Sequence, residues 1–121
     1  MTTATGHTQA IRATRVIGTD VKDGQGNVLG KIEDVVLDKT DNAVMFAVVG
    51  FGGVLGLGEK YHPLPWSVLD YDETQNAYVV PYTKEQLKAA PNDTIGELTR
   101  NDGANARDRA YDYYQVQKYW H

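Results

Sequence analysis

The stretch DVKDGQGNVLGKIEDVVLDKTDNAVMFAVVGF, residues 20–51, alternates apolar segments with two short polar turns. Both turns, residues 23–27 and 38–42, begin with Asp and have Asn four positions later, and residues 72–76 repeat this layout. Such an Asp can accept backbone N–H bonds, and Asn or glycine tolerates the left-handed conformation that closes a hairpin loop. We interpret all three as hairpin turns rather than calcium loops, because none has the full ligand series of an EF-hand.

The segments that border these turns have the character of β-strands. Residues 43–51 are apolar throughout and rich in β-branched and aromatic residues, which favours a strand buried on both faces. In VLGKIEDVVL, residues 28–37, the alternation of apolar and charged residues breaks near Glu33 and Asp34. A break of this kind predicts a β-bulge at that point.

Further strands and one helix are predicted on either side. Residues 13–23 supply a first strand, and residues 67–71 and 77–82 form a pair around the third turn. A helix follows, with Thr83 as its N-cap and Gln86 completing a capping box. Many short strands with little helix indicate a mainly β fold, a small closed or nearly closed antiparallel β barrel.

The composition divides the chain into three parts. Residues 1–12 form a polar tail that we expect to be disordered, and residues 13–91 form the β-rich domain. Residues 92–121 are a polar linker and a C-terminal arm, whose last eleven residues, 111–121, hold four of the eight tyrosines. Aromatic rings order a chain when they are buried, so we expect this arm to pack on its own barrel, on a second copy or on a partner.

The overall composition argues against several classes of protein. The chain has 121 residues, no cysteine and a formal net charge of −4. It therefore has no disulfide and no thiolate nucleophile, and it lacks the cationic face that non-specific nucleic-acid binding requires. Its start is not a secretory signal and no apolar run is long enough for a transmembrane helix, so we expect a cytoplasmic protein.

The glycine-rich stretch GFGGVLGLGEK, residues 50–60, raises the question of a phosphate site. Gly53 and Gly58 have the spacing of a P-loop, but Glu stands where Lys is required and no Ser or Thr follows to bind Mg²⁺. The prolines of YHPLPW, residues 61–66, prevent a long helix from beginning there. We therefore predict no nucleotide, no metal and no other cofactor.

Three pieces of the sequence, in their order and spacing, resemble the PRC-barrel family, which includes the photosynthetic reaction-centre H subunit and the ribosome maturation protein. These pieces are VIGTDVKDGQGNVLGKIEDVVLD (16–38), AVVGFGGVLGLGEKYHPLPWSVL (47–69) and YTKEQLKAAP (82–91). The resemblance covers residues 13–91 and implies a small, strongly bent β barrel with Trp66 in or beside its core. The chain is most similar to short, free-standing members, whose function the family does not fix.

Side chains suited to catalysis are sparse. His62 stands near Glu59, which suggests a general base with an orienting carboxylate, but a loop histidine without catalytic role is the stronger interpretation. Ser67, the only serine, fits a local turn better than a nucleophile. The sequence has no HExxH motif and no nucleophile elbow. We therefore expect a protein that is not an enzyme.

The remaining hypothesis is a non-catalytic module for protein binding or assembly, with an unidentified protein partner. The residues expected to contact it are Val54, Leu55, Leu57, Tyr61, Tyr111, Tyr113, Tyr114, Tyr119 and Trp120. The three aliphatic residues can equally be core, and the aromatic arm can seal its own barrel or join a homodimer. The alternative is an RNA- or ribosome-associated factor, which we disfavour because the arginines of the arm, Arg100, Arg107 and Arg109, are interleaved with aspartates.

Overall fold

The computed structural model describes residues 9–51 and 60–120 of the chain. The predicted contact residues Val54, Leu55 and Leu57 lie outside the described residues. The helices and strands, in chain order, are α1 (Ala13–Val16), β1 (Asp20–Lys22), β2 (Val28–Asp38), β3 (Ala43–Gly50), β4 (His62–Leu64), β5 (Asp70–Asp72), β6 (Ala77–Val79), α2 (Lys84–Ala89), α3 (Ile95–Leu98) and α4 (Ala104–Tyr114). Short 3₁₀ segments at Trp66–Val68 and Arg100–Gly103 precede β5 and α4.

The six strands of the described residues form one mixed sheet in the order β4-β3-β2-β1-β6-β5. All neighbours are antiparallel except β1 and β6, which are parallel. The prediction of an antiparallel barrel is therefore corrected in two respects, although the mainly β fold is confirmed. One strand pair is parallel: β1 and β6 lie far apart in the sequence, so no hairpin turn forces them to run antiparallel. In the part of the chain that the structure describes, the outer strands β4 and β5 do not pair, so the sheet is open.

All three predicted hairpin turns are confirmed. Asp23, Asp38 and Asp72 each accept backbone N–H bonds from residues two to four positions later. Left-handed residues close the turns, with φ of 87° at Gly26, 55° at Asn42 and 51° at Asn76. The turns join β1 to β2, β2 to β3 and β5 to β6. Side-chain capping and a left-handed residue thus set the connection of each hairpin.

Strand β2 contains the predicted bulge, and β3 is buried as predicted. The register of β2 against β3 shifts between Ile32 and Asp34, which confirms the bulge. A second shift, between Val36 and Leu37, was not predicted, and it accompanies a Leu37 side chain that is 63% exposed. Residues 45–49 of β3 are all buried, as expected for a strand covered on both faces.

The first predicted strand is wrong over much of its length. Ala13–Val16 forms α1, and only β1 of the predicted strand pairs in the sheet. Gly18, at φ 93°, turns the chain between them, and its N–H donates to the Ile32 carbonyl at 2.7 Å. The Thr19 hydroxyl donates to the Arg15 carbonyl at 2.9 Å, which completes the helical turn.

The predicted helix after the last strand is confirmed as α2. Its capping box is present: Thr83 Oγ1 accepts from the Gln86 N–H at 3.1 Å, and the Gln86 side chain accepts from the Thr83 N–H at 2.8 Å. The prediction of a single helix is incomplete, because α3 and α4 follow where the polar composition suggested a linker. Across residues 9–51 and 60–120, no helix combines the length and apolar character that a membrane span requires.

Two apolar clusters share the residues of β3: Ala47 and Val49 belong to the larger one, and the other buried residues of the strand to the smaller one. The larger includes Tyr78 from β6, and Trp66 packs beside it with ring centroids 5.8 Å apart, as predicted. The smaller cluster consists of Met45, Phe46, Val48, Leu98 and Ala106. Helix α4 contributes Ala106 to the smaller cluster and Ala110 and Tyr114 to the larger one. These buried residues at helical spacing pack α4 against the sheet, and the position of α4 determines where the C-terminal residues begin.

Candidate functional site

The C-terminal segment, residues 115–120, folds back onto its own chain. Helix α4 ends at Tyr114, and its C-cap Gln115 has the left-handed angles φ 54° and ψ 47°. The chain reverses there, and the Val116 N–H donates to the Tyr111 carbonyl at 3.3 Å. The Trp120 ring then returns to Tyr111 with 4.8 Å between ring centroids. The aromatic arm is therefore ordered by contacts within one chain.

Tyr119 fastens this segment to the β2–β3 turn. Its hydroxyl donates to Asp38 Oδ2 at 2.6 Å, while Asp38 Oδ1 accepts from the N–H groups of Thr40 and Asp41 at 2.9 and 3.1 Å. The hydrogen bond from Tyr119, with those of the turn, lowers the pKa of Asp38. Burial and the adjacent carboxylate raise the pKa of Tyr119. Asp38 therefore stays ionised and Tyr119 protonated near neutral pH.

Trp120 packs against two residues of α4, Tyr111 and Arg107, and the second of these is a cation that covers its ring. The guanidinium carbon of Arg107 stands 3.9 Å from the centre of the Trp120 ring, within the range of a cation–π interaction. Lys118 Nζ is 5.7 Å from the same centre. Beneath them the Tyr111 hydroxyl donates to the Met45 carbonyl at 3.1 Å, and burial raises the pKa of Tyr111 to about 12. The Tyr111 ring is thus a fixed platform for Trp120.

These side chains border an open depression of about 650 Å³ on the protein surface. Leu37, Asp38, Arg107 and Trp120 line it, and Tyr119 adjoins it through Asp38. We name these five residues the C-terminal face. Leu37 is the most exposed of them, while Trp120 and Arg107 are half-buried. The depression thus combines an exposed aliphatic side chain with a stacked Arg–Trp pair.

The other predicted contact residues of the arm have internal partners. Tyr111 and Tyr114 are buried, and the ring centroids of Tyr114 and Tyr82 lie 4.8 Å apart. Tyr113 is 40% exposed, and its hydroxyl donates to the Gln86 carbonyl at 2.6 Å. Within the arm, the structure therefore leaves Tyr113, Tyr119 and Trp120 with surface available for a partner.

Tyr61 packs against the smaller apolar cluster and is not among the residues that line the depression. It is half-buried and forms a backbone bridge with Asp93, with N···O distances of 2.8 and 3.0 Å. Residues 52–59, which include the predicted contacts Val54, Leu55 and Leu57, lie outside the described ranges. Of the first predicted contact surface, the structure therefore describes only Tyr61, which does not line the depression.

His62 is buried in β4 rather than presented in a loop. Its ring centroid is 4.4 Å from that of Phe51, and within the described residues Nδ1 has no hydrogen-bond partner. Burial lowers the pKa of His62 to about 4, although a hydrogen bond to the Pro91 carbonyl favours the charged form. The imidazole is therefore neutral at pH 7. Glu59, its suggested partner, lies outside the described residues.

A metal centre has no support in the part of the chain that is described, where no three His, Cys, Asp or Glu side chains cluster as ligands would. The aspartate that begins each hairpin turn accepts hydrogen bonds from backbone N–H groups.

Sequence reasoning missed three residues of the C-terminal face. Asp38 was assigned to a turn, and no local pattern indicates its second bond to Tyr119, 81 positions later. Leu37 ends a segment that is predicted as a strand, and no local pattern indicates the second register shift beside it. The position of Arg107 could have been predicted from the sequence. It stands four residues before Tyr111 in α4, so the two side chains lie on the same face of the helix.

Comparison with known proteins agrees with this architecture. A family model of the PRC-barrel domain matches residues 9–87, which confirms the resemblance seen in the sequence. A search of curated proteins found no significant match. The matched part contains the whole sheet and ends within α2, so the C-terminal face combines a turn of the matched domain with a segment that follows it.

Proposed function

Because this chain belongs to the PRC-barrel family, we propose that it is a non-catalytic module for protein binding or assembly that contacts its partner through the C-terminal face. The observation that carries this proposal is the half-buried Trp120, stacked under Arg107 beside the exposed Leu37. Fold alone does not imply function, so the support comes from this surface.

The residue types of the face suit a protein interface. Trp, Tyr and Arg are over-represented among the residues that dominate binding energy, and they act best where their neighbours fix them in place. Trp120 packs against Tyr111 and Tyr119, with distances between ring centroids of 4.8 and 5.0 Å. A preorganised aromatic side chain loses little conformational freedom when a partner covers it.

The charges near the face favour a protein over a nucleic acid. Arg107 Nε lies 3.1 Å from Asp108 Oδ1, and Lys118 Nζ lies 3.8 Å from Asp112 Oδ1. These pairings, with a formal net charge of −4, leave no cationic stripe for a phosphate backbone in the described residues. The RNA-associated alternative therefore has no observation of its own and enters only as an outcome of the test.

A capture experiment with matched variants tests the proposal. The full chain is immobilised and exposed to extract of the cells that produce it, before and after nuclease treatment. Leu37→Asp places a charge on the C-terminal face. Val28→Asp is the control, because Val28 is 61% exposed, against 63% for Leu37, and lies at the other end of β2.

We expect a defined set of proteins that resists nuclease, is lost with Leu37→Asp and Trp120→Ala, and is kept with Val28→Asp. Each captured protein is then purified and its affinity measured by calorimetry, where a drop of about tenfold or more for Leu37→Asp is expected. Retention that disappears on nuclease treatment and at high salt would instead support the RNA-associated alternative. Equal retention by both Asp variants would exclude the C-terminal face.

A further inference from the structure

The end of the C-terminal segment is held by side-chain contacts that another chain can supply equally well. Tyr119 is bonded to Asp38, and Trp120 is packed against Arg107 and Tyr111. These three residues, Asp38, Arg107 and Tyr111, form what we call the docking seat. A segment bound in this way makes the same contacts whether it arrives from its own chain or from a second copy.

The hinge that brings the segment back is strained. Gln115, at φ 54° and ψ 47°, is one of five non-glycine residues with positive φ in the described chain. The left-handed conformation is unfavourable for an L-residue, because its Cβ approaches the following carbonyl oxygen too closely. Asn42 and Asn76 tolerate it because Asn is suited to that region, whereas Gln has no such preference. Straightening the chain at Gln115 would remove this cost.

We propose that two copies of the chain pair by exchanging residues 115–120, so that Tyr119 and Trp120 of each copy occupy the docking seat of the other. This pairing is isologous, with the same surface used twice about a two-fold axis. The contacts of the seat are conserved in the exchange, and the strained hinge is released in both copies. The exposed Leu37 lies next to Asp38 in the seat, so each incoming chain approaches an apolar side chain that is otherwise in water.

This inference uses the surface of the proposed function and rests on its role as a binding face, but its test needs only the purified protein. Failure here leaves the capture of other proteins untouched, and failure of capture leaves the exchange untouched. The two proposals are therefore separable.

The first experiment measures mass in solution across concentration, by light scattering and native mass spectrometry, for the full chain and two hinge variants. Gln115→Gly removes the left-handed penalty and favours the folded-back monomer. Gln115→Ala keeps that penalty and favours a helix that continues through the hinge. Because a dimer contains two hinges, we expect the dimer dissociation constants of these variants to differ by roughly tenfold or more, with the glycine variant the weaker.

The second experiment tests exchange itself by complementation. Trp120→Ala keeps the seat but loses an anchor, and Arg107→Ala keeps both anchors but weakens the seat. Each variant alone should remain monomeric, while an incubated mixture should give a heterodimer with one intact docking contact, recognised by its mass. Near-ultraviolet circular dichroism confirms that both variants are folded.

Three outcomes would overturn the proposal. One is a monomer at every concentration for both the native chain and Gln115→Ala. Another is a dimer that Trp120→Ala does not weaken. The last is a dimer that depends on Trp120 but forms no heterodimer in the mixture, because that result indicates contact between copies without exchange.

Discussion

The Tyr119 hydroxyl donates a 2.6 Å hydrogen bond to Asp38, so the last residues of the chain are fastened to a hairpin turn in its first half. Removing the hydroxyl with Tyr119→Phe should lower the thermal midpoint, because it leaves Asp38 with one acceptor oxygen unsatisfied at a largely buried position. Differential scanning calorimetry measures the change. Tyr71→Phe is the control, since its hydroxyl lies 3.5 Å from Asn76 Oδ1 and should contribute little.

The same bond predicts a pH dependence. The folded-state pKa of Asp38 is lowered, so its contribution to stability is present above the unfolded value near 3.8 and is lost as the pH falls through the folded value. The difference in midpoint between the native chain and Tyr119→Phe should therefore shrink in acid. A difference that stays constant down to low pH would show that the carboxylate is not the relevant partner.

His62 should destabilise the fold in mild acid. Its pKa falls from 6.5 in the unfolded chain to about 4 in the folded one, so the unfolded state binds more protons and stability drops as the pH falls below 6.5. Allowing for screening by solvent, we expect a loss of about 2 kcal/mol by pH 4. Urea unfolding of the native chain and His62→Gln, compared across this range, isolates the effect. Parallel pH profiles for the two proteins would contradict it.

Gly103 and Gly96 should respond to alanine in opposite ways. A Cβ at Gly103 would meet the sulfur of Met45 at 2.9 Å, on a backbone with φ 78°, so Gly103→Ala should destabilise the fold by about 1–3 kcal/mol. Gly96 lies in α3 with open space around it, and Gly96→Ala should stabilise by about 0.5–1 kcal/mol. Denaturant unfolding gives both signs, and a shared sign would be inconsistent with the packing of α4 described above.

The capping box of α2 should contribute measurably to stability. Thr83→Ala removes the acceptor for the Gln86 N–H and should cost about 1 kcal/mol. Thr83→Ser keeps the hydroxyl and should cost much less. If alanine and serine give equal losses in chemical denaturation, the methyl group of Thr83 matters rather than its cap.

Local patterns predicted the local structure well. The Asp-to-Asn turns, the bulge in β2 and the α2 capping box each depend on residues a few positions apart, and each is present. The parallel pairing of β1 with β6 was not predicted, because no sequence pattern near Val21 or Tyr78 indicates which strand it pairs with. Strand direction at such a contact is set by the path of the whole chain.

The candidate site was predicted in part for the same reason. The aromatic composition of residues 111–120 indicated that this segment packs somewhere, but the seat it occupies is made from Asp38 and Arg107, which have other local explanations. Helix α4 was missed because its exposed residues are polar, although Ala106, Ala110 and Tyr114 repeat every four positions. A search for helical periodicity in the polar segment would have found it.

The parallel contact between β1 and β6 also orders the folding reaction. Strands β2 and β3 form a hairpin from neighbouring residues, and so do β5 and β6, whereas the β1–β6 ladder joins Val21 to Tyr78. Closing so long a loop lowers the entropy of the chain before the strands make stabilising contacts. This ladder should therefore form late and limit the folding rate. The sheet thus forms in two fast local steps, one for each hairpin, and one slow step that pairs β1 with β6.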